Sequence, residues 1–476
     1  MLVTAASASA FTPQNALYPK QWYLAQDHAF DAWPAPPTFQ PVRVAIIDSG
    51  VDCSLPDFQG QIVLKRSFVG GDACSDDDGH GTIVAGEIAA GLDATGIVGL
   101  AYTAQLVVAK VVTSDGAIPL KAEADAIRWA VDVGHAQVVN LSLGGVRDPP
   151  DPARDTYSSR EADAVAYAVS KGAVVVAAAG NADDAYATPW LYASWPAALP
   201  HVIGVAALTR SGDVPDFSDR DPTYVDLAAP GVDIYSTFPA DLTAQQQGCE
   251  PQGYTDCATG DYAHPDGTSF AAPQVSAAAA VLLGIDPTLT SSQVTSILEH
   301  SADDVNASNG CAACPTGRDE YTGWGRLDVE QAVAAVNAGA IPPSDALEPN
   351  DKLSQAKKLW GRRPDVRATL DFWNDRVDWY RVRLDKGQWL QARAQARWSG
   401  ARVRLTLWEP GTPTILHGNA RTRRAAQGGH PGASQHFSYR VPKADWYYVE
   451  VGLVRPGAGA YTLELSKLRP ARAPAA

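Results

Sequence analysis

Between residues 43 and 342 the chain alternates short apolar runs with longer stretches of helical periodicity, and this alternation restricts it to a narrow group of folds. Val42–Ile47, Leu106–Val112, Val138–Leu143, Ala173–Ala179 and Val202–Ala207 are rich in Val, Ile and Ala and nearly free of polar residues. Strands covered on both faces of a sheet have this composition. Stretches at about 80–91, 120–134, 159–171, 268–284, 290–300 and 327–338 read as helices. Strand and helix in alternation imply a mainly parallel sheet with helices on both faces, an α/β fold. Adjacent prolines and small residues then break the pattern, and a linker is expected over 339–346. Beyond it the texture becomes short and alternating, as at 377–384, 403–408, 446–451 and 461–465, which predicts a small all-β sandwich over 347–468.

Charge divides at the same place. Residues 1–342 carry a net charge of −26 and the remainder +11. An acidic body disfavours nucleic acid and anionic membranes as its partners. The basic tail has three readings: a solvated face, a surface that docks on the acidic body, or one that binds a polymer. No run of 18 apolar residues occurs, so no membrane span is expected. The six cysteines (53, 74, 249, 257, 311 and 314) suggest three disulfides and export, with sequential pairing the simplest of many. Cys311 and Cys314 form a C-x-x-C that could instead be redox-active or half of a zinc site. Ala8-Ser9-Ala10 resembles the end of a signal peptide, so residues 1–19 read as a residual leader or as a small-residue tail.

Three short motifs carry chemistry. The first strand runs into Asp48-Ser49-Gly50, a place where functional groups collect in open α/β sheets, although an aspartate there also serves as a turn or cap. Gly79-His80-Gly81-Thr82 opens a helix, with glycines that let other groups approach the ring. Gly267-Thr268-Ser269-Phe270-Ala271-Ala272-Pro273 opens an Ala-rich helix whose N-terminus favours developing negative charge; a hydroxyl there can equally be a cap. The order Asp, His, Ser is the subtilisin order, unlike those of chymotrypsin and the α/β-hydrolases.

Taken together, D-S-G, G-H-G-T and G-T-S-x-A-A-P resemble the motifs of the subtilisin-like (subtilase) serine proteases over about residues 20–338. The resemblance implies a secreted endopeptidase acting on proteins and peptides, with Asp48, His80 and Ser269 as triad and Asn181 in the oxyanion hole. It also implies that substrate lies between Gly116-Ala117-Ile118 and Ser142-Leu143-Gly144, near Ala178 and Gly180. There are departures. Phe270 stands where the family usually has Met, Ile83 and Gln274 stand where His is common, and the loop 182–194 with Asp183 and Asp184 is unusual. Only 47 residues precede Asp48, which leaves no room for a folding pro-segment and points to a mature form or an incomplete chain.

Asp57 and the loop Gly91, Asp93, Thr95 and Ile97 resemble the family's structural Ca2+ site; the alternative is an acidic turn. Asp72 and Asp76–Asp78 form a second acidic group, either solvated or ion-binding. The tail resembles the bacterial pre-peptidase C-terminal domain through Leu347-Glu348-Pro349-Asn350-Asp351, Asp378-Trp379-Tyr380 and Gly459-Ala460-Tyr461. Its Trp373, Trp389 and Trp408 belong to a core or to a polymer-binding face. An inactive scaffold that presents this tail is the competing function, and a missing triad member would have favoured it.

Overall fold

The computed structural model describes residues 10–182, 187–245, 262–412 and 423–468. It contains two compact units, residues 1–342 and 343–476.

The first unit is built on a seven-stranded parallel sheet: β1 (Arg43–Asp48), β2 (Ile62–Ser67), β3 (Gln105–Lys110), β4 (Val138–Leu141), β5 (Val174–Ala178), β6 (Val202–Leu208) and β7 (Leu227–Pro230), in the order β2-β3-β1-β4-β5-β6-β7. Alternate residues of β1 face opposite cores. Val44 and Ile46 pack with the helices His80–Ala89 and Thr268–Ile285, whereas Ala45 and Ile47 pack with Leu120–Asp132 and Ser159–Ser170. That two-sided burial is why the strands read as unbroken apolar runs. Helix Thr268–Ile285 is long and apolar enough by length and composition to cross a membrane, but 89% of that stretch is buried inside the fold. Small side chains let it pass close under the sheet. Residues 11–19, part of the segment read as a leader, lie against this unit: Phe11 packs edge-on to Phe30 at 5.9 Å and the Leu17 N–H donates to the Gly96 carbonyl.

Two disulfides join described residues, Cys53–Cys74 and Cys311–Cys314. In the second, both sulfurs are bonded and buried against Val214 and Val305, which leaves no thiolate for the zinc half-site reading. Cys249 and Cys257 lie outside the described residues, as do Asp183 and Asp184.

The second unit stacks a five-stranded sheet on a four-stranded one. The five-stranded sheet contains Val377–Leu384, Val403–Trp408 and Asp445–Leu453; the other contains Asp365–Asp371, Trp389–Ala396 and Ala458–Leu468. Tyr380, Val382 and Leu405 meet Leu390, Ala394 and Leu463 in one core between them. The tryptophans divide: Trp408 is core, packed on Trp379 and bonded to Glu450, whereas Trp389 is 43% exposed.

Candidate active site

Three strands deliver the motifs to one edge of the sheet. β1 ends in Asp48, β4 leads into Ser142-Leu143-Gly144, and β5 ends in Ala178, two residues before Gly180 and three before Asn181. All lie at carboxyl ends of parallel strands, where the crevice of an open α/β sheet forms.

Asp48 Oδ1 accepts from His80 Nδ1 at 2.8 Å and from the Ser49 N–H at 2.7 Å. Asp48 is buried; the His80 side chain is 24% exposed. Gly81 explains the closeness. A Cβ there would lie 2.1 Å from the Gly50 carbonyl and 3.1 Å from Asp48 Cβ, so only glycine lets the helix approach the strand end. Burial works to lower the His80 pKa, but the charge and hydrogen bond of Asp48, with Asp78 and Asp76 behind, outweigh it and hold the imidazole up at about 9.

The acidic group before His80 is not a uniformly solvated face. Asp76 is buried, and one oxygen accepts from Ser49 Oγ and the Gly79 N–H, both at 2.8 Å. Its other oxygen accepts from the Thr82 N–H at 2.8 Å and from Thr82 Oγ1. Asp76 thereby caps a helix whose own cap residue is Gly79, and ties that helix to the strand end bearing Asp48. The Cys53–Cys74 disulfide joins the same two segments.

Ser269 is the second residue of its helix, so its backbone N–H is among the first-turn donors that lack an intrahelical acceptor. Its hydroxyl donates to the Ser142 carbonyl at 3.3 Å, and Ser142 Oγ donates to the Ser269 carbonyl at 2.6 Å. Asn140 and Ser276 extend this network inward. The Phe270 ring packs on the His80 ring at 5.1 Å, so the departure from Met places an aromatic ring against the imidazole. Gln274 donates to Glu87, a buried carboxyl whose pKa burial pushes well up.

Asn181 Oδ1 accepts from the Thr268 N–H and from Thr268 Oγ1, both at 3.0 Å. With its oxygen so engaged, its amide nitrogen lies beside Gly267, 3.6 Å from where a Cβ there would stand. Gly180 adopts φ +111°, and a Cβ there would lie 2.2 Å from Ser194 Oγ, so the turn that presents Asn181 requires glycine.

Gly116, Ala117 and Ile118 follow β3 as a loop rather than a strand, with Gly116 and Ala117 exposed and Ile118 half-buried. Of these and residues 142–144, Ile118, Leu143 and Gly144 line the pocket described below.

The carbonyls of Gly91, Thr95 and Ile97 converge, but on the side-chain amide nitrogen of Asn15, at 2.9, 2.6 and 2.7 Å. Asp57 accepts from the Ile97 N–H and Tyr262 hydroxyl, and Asp93 is bonded to Thr95 within the loop. A cation at the meeting point of the carbonyls would need Asn15 to turn its oxygen, which is buried without a partner, toward them. In the second unit, Asp345, Glu348, Asp375 and Asp378 bring ligand oxygens within 4.8 Å of one another. Asp375 Oδ1 and Asp378 Oδ1 are buried there without hydrogen-bond partners. Burial and neighbouring carboxylates push both pKa values well up.

The profile of the subtilase family matches residues 40–325. A thermophilic serine proteinase of Bacillus sp. (strain AK1) is 33% identical over 68% of this chain and 70% of its own length. Thermitase of Thermoactinomyces vulgaris is 31% identical over 69% of this chain and 96% of its own. Among solved structures, Sphericase superposes with a TM-score of 0.51 at 30% identity, covering 65% of this chain and 97% of its own. On this agreement of fold, motif order and sequence, the chain belongs to the subtilase family and is a subtilisin-like serine endopeptidase.

Proposed function

We propose that Ser269 is the nucleophile, His80 its general base and acid, Asp48 the group that orients His80, and Asn181 one of two oxyanion donors. The observation that carries this reading is the 2.8 Å bond from His80 Nδ1 to Asp48, because it fixes the tautomer that leaves Nε2 as the acceptor. Ser269 Oγ attacks the peptide carbonyl carbon as its proton passes to Nε2. The resulting oxyanion is received by the Asn181 amide and the Ser269 N–H. The C–N bond then breaks with the proton delivered to the leaving amine, and water repeats the sequence on the acyl-enzyme. The Ser269 hydroxyl must rotate from the Ser142 carbonyl to the imidazole, an adjustment common when a site closes on substrate. Substrate would lie as an added strand between residues 116–118 and 142–144. The disulfides favour an oxidising, extracellular setting for this work.

Casein hydrolysis against pH tests the reading. Only neutral His80 can act as base, so kcat/KM is expected to rise with pH along an acid limb near 9 rather than near the ordinary 6.5. The sign for stability is opposite. A raised histidine pKa stabilises the fold fully below about 6.5, and that contribution is lost as pH rises through about 9. Absence of casein hydrolysis at every pH would overturn the assignment.

Calcium is proposed as a stabilising ion, and its two candidate places make different demands. The loop at Gly91–Ile97 requires Asn15 to turn over; the cluster at Asp345, Glu348, Asp375 and Asp378 already presents oxygens, two of them unpartnered. At 100 times its Kd an ion adds about 2.7 kcal/mol to native stability. Chelator is therefore expected to lower Tm, with Asp375→Asn removing most of the shift and Asp93→Ala little of it. Identical melting curves in EDTA and in millimolar calcium would rule out both places.

A further inference from the structure

A pocket of about 220 Å³ opens beside the two segments proposed to hold substrate. Ile118 on one side and Leu143, Gly144 and Gly145 on the other form walls that belong to those two segments. Leu120, 46% exposed, lies at its mouth. Its lining also contains two carboxyl groups, Glu123 and Glu161, buried at 2% and 3% exposure. Each comes from one of the two helices that cover this face of the sheet, Leu120–Asp132 and Ser159–Ser170. Both acids stand in the first turn of their helices, where a carboxylate favours the helix dipole, but the surroundings they are buried in are packed with alanine and valine.

The two carboxyls are hydrogen-bonded to each other, and Glu123 Oε1 is buried without a partner. Burial together with the Glu123 charge holds Glu161 up at about 9, and burial raises Glu123 as well. Two acids this close titrate as a pair, and one oxygen of the pair lacks a donor. Among the described residues no Lys or Arg forms an ion pair with either. A buried acceptor left unmade is costly, and a buried charge without a counter-charge more so.

We infer that this pocket selects a substrate residue with a long basic side chain, lysine or arginine, at a position other than the one whose carbonyl is attacked. The inference rests on the proposed role of Ser269 and on substrate lying between the two segments. Ser142 touches Ser269, whereas the pocket begins beyond it at residues 143–145, so its occupant is a neighbour along the bound strand. In an extended peptide alternate side chains share a face, which lets one of them enter while the backbone stays in register. The methylene stem of the occupant would lie along Ile118, Leu143 and Trp195, and its charged end would reach the Glu123–Glu161 pair. That end supplies the donor that Glu123 Oε1 lacks. An apolar side chain of the same length would fill the walls and leave the acids unpaired.

Fluorogenic peptides varied one position at a time test this. With the wild-type chain, lysine or arginine is expected to exceed norleucine by about 10- to 100-fold in kcat/KM at one position removed from the cut, the worth of a hydrogen bond to a charged group. In Glu123→Gln/Glu161→Gln, and more weakly in Glu161→Gln alone, that ratio should fall toward one. Should the double variant fail to fold, the wild-type ratio decides by itself. Norleucine, leucine or phenylalanine equal to or better than lysine at every such position would overturn the inference, as would a ratio unchanged in a folded variant. An apolar preference in the wild type, with cleavage abolished by Ser269→Ala, would overturn the pocket alone. Cleavage that survives Ser269→Ala would overturn the catalytic reading and the pocket with it.

Discussion

Ser269→Ala is expected to lower kcat on the order of 10⁶-fold and to leave the fold intact; that magnitude is the one known for loss of the nucleophile in subtilisin. The first expectation follows from the chemistry. Without Oγ no acyl-enzyme forms, and the remaining donors can only polarise the carbonyl for attack by water. The second follows from the contacts. The hydroxyl makes one long bond, 3.3 Å to the Ser142 carbonyl, while the reciprocal bond from Ser142 Oγ goes to the Ser269 backbone and survives the substitution. The helix that carries it is fixed by other residues, from Thr268 at its start to the buried Val275, Val281 and Leu282. Purified variant should therefore melt like the wild type and leave casein uncut. Substantial casein hydrolysis by it would show that another group is the nucleophile.

Asn181→Leu should lower kcat by about 10²–10³-fold with little change in KM, the loss measured for one oxyanion donor in subtilisin. The split between the two constants is the informative part. In the proposed role, the Asn181 N–H groups bind an oxygen that becomes negative only as the carbonyl turns tetrahedral, so their removal is expected to weaken the transition state and spare the ground state. The structure adds a second consequence. Asn181 Oδ1 accepts from both the backbone and the side chain of Thr268, and leucine would leave that N–H and hydroxyl without this acceptor. A stability loss of about 1–3 kcal/mol is expected alongside the kinetic one. Thr268→Val retains Asn181 but removes one of its two anchors, so it should lower kcat less than Asn181→Leu. An unchanged kcat in Asn181→Leu would mean that the oxyanion is held by other groups.

Much of this architecture was legible in the sequence because the relevant patterns are local. β1 and β4–β6 are short unbroken apolar runs, and burial on both faces produces that signature. β2 and β7 were not among the expected strands. β2 is an edge strand, Ile62–Ser67, whose exposed lysine and arginine dilute the apolar signal; β7 is four residues ending in a proline. In the tail the same contrast holds. Val377–Leu384 alternates strongly and was expected, whereas Trp389–Ala396 places Gln and Arg between alanines and was not.

The site shows a similar division. Asp48, His80, Ser269 and Asn181 sit in short motifs whose order is informative. The groups that hold them are set by distances no local pattern encodes. Asp76 lies four residues before His80, but whether it caps the helix or faces solvent depends on Ser49, which comes from the end of another strand. Glu123 and Glu161 are 38 residues apart, on separate helices, and only the packing of those helices brings them together. An acid amid alanines on a helix expected to be buried was the available signal, and it becomes specific only once the pocket is seen. The loop at Gly91–Ile97 teaches the converse. Its carbonyls converge as its resemblance to a calcium site implies, yet Asn15, distant in sequence, occupies their meeting point.

The central claim is that one serine among many is activated. Exposure to diisopropyl fluorophosphate followed by peptide mass spectrometry tests it most directly, because the reagent phosphorylates a serine only where a base removes its proton and an oxyanion hole receives the phosphoryl oxygen. The account predicts a single stoichiometric adduct on Ser269, loss of casein hydrolysis in proportion to labelling, and no adduct in His80→Ala. An adduct at another serine, or full labelling of Ser269 with hydrolysis undiminished, would contradict it.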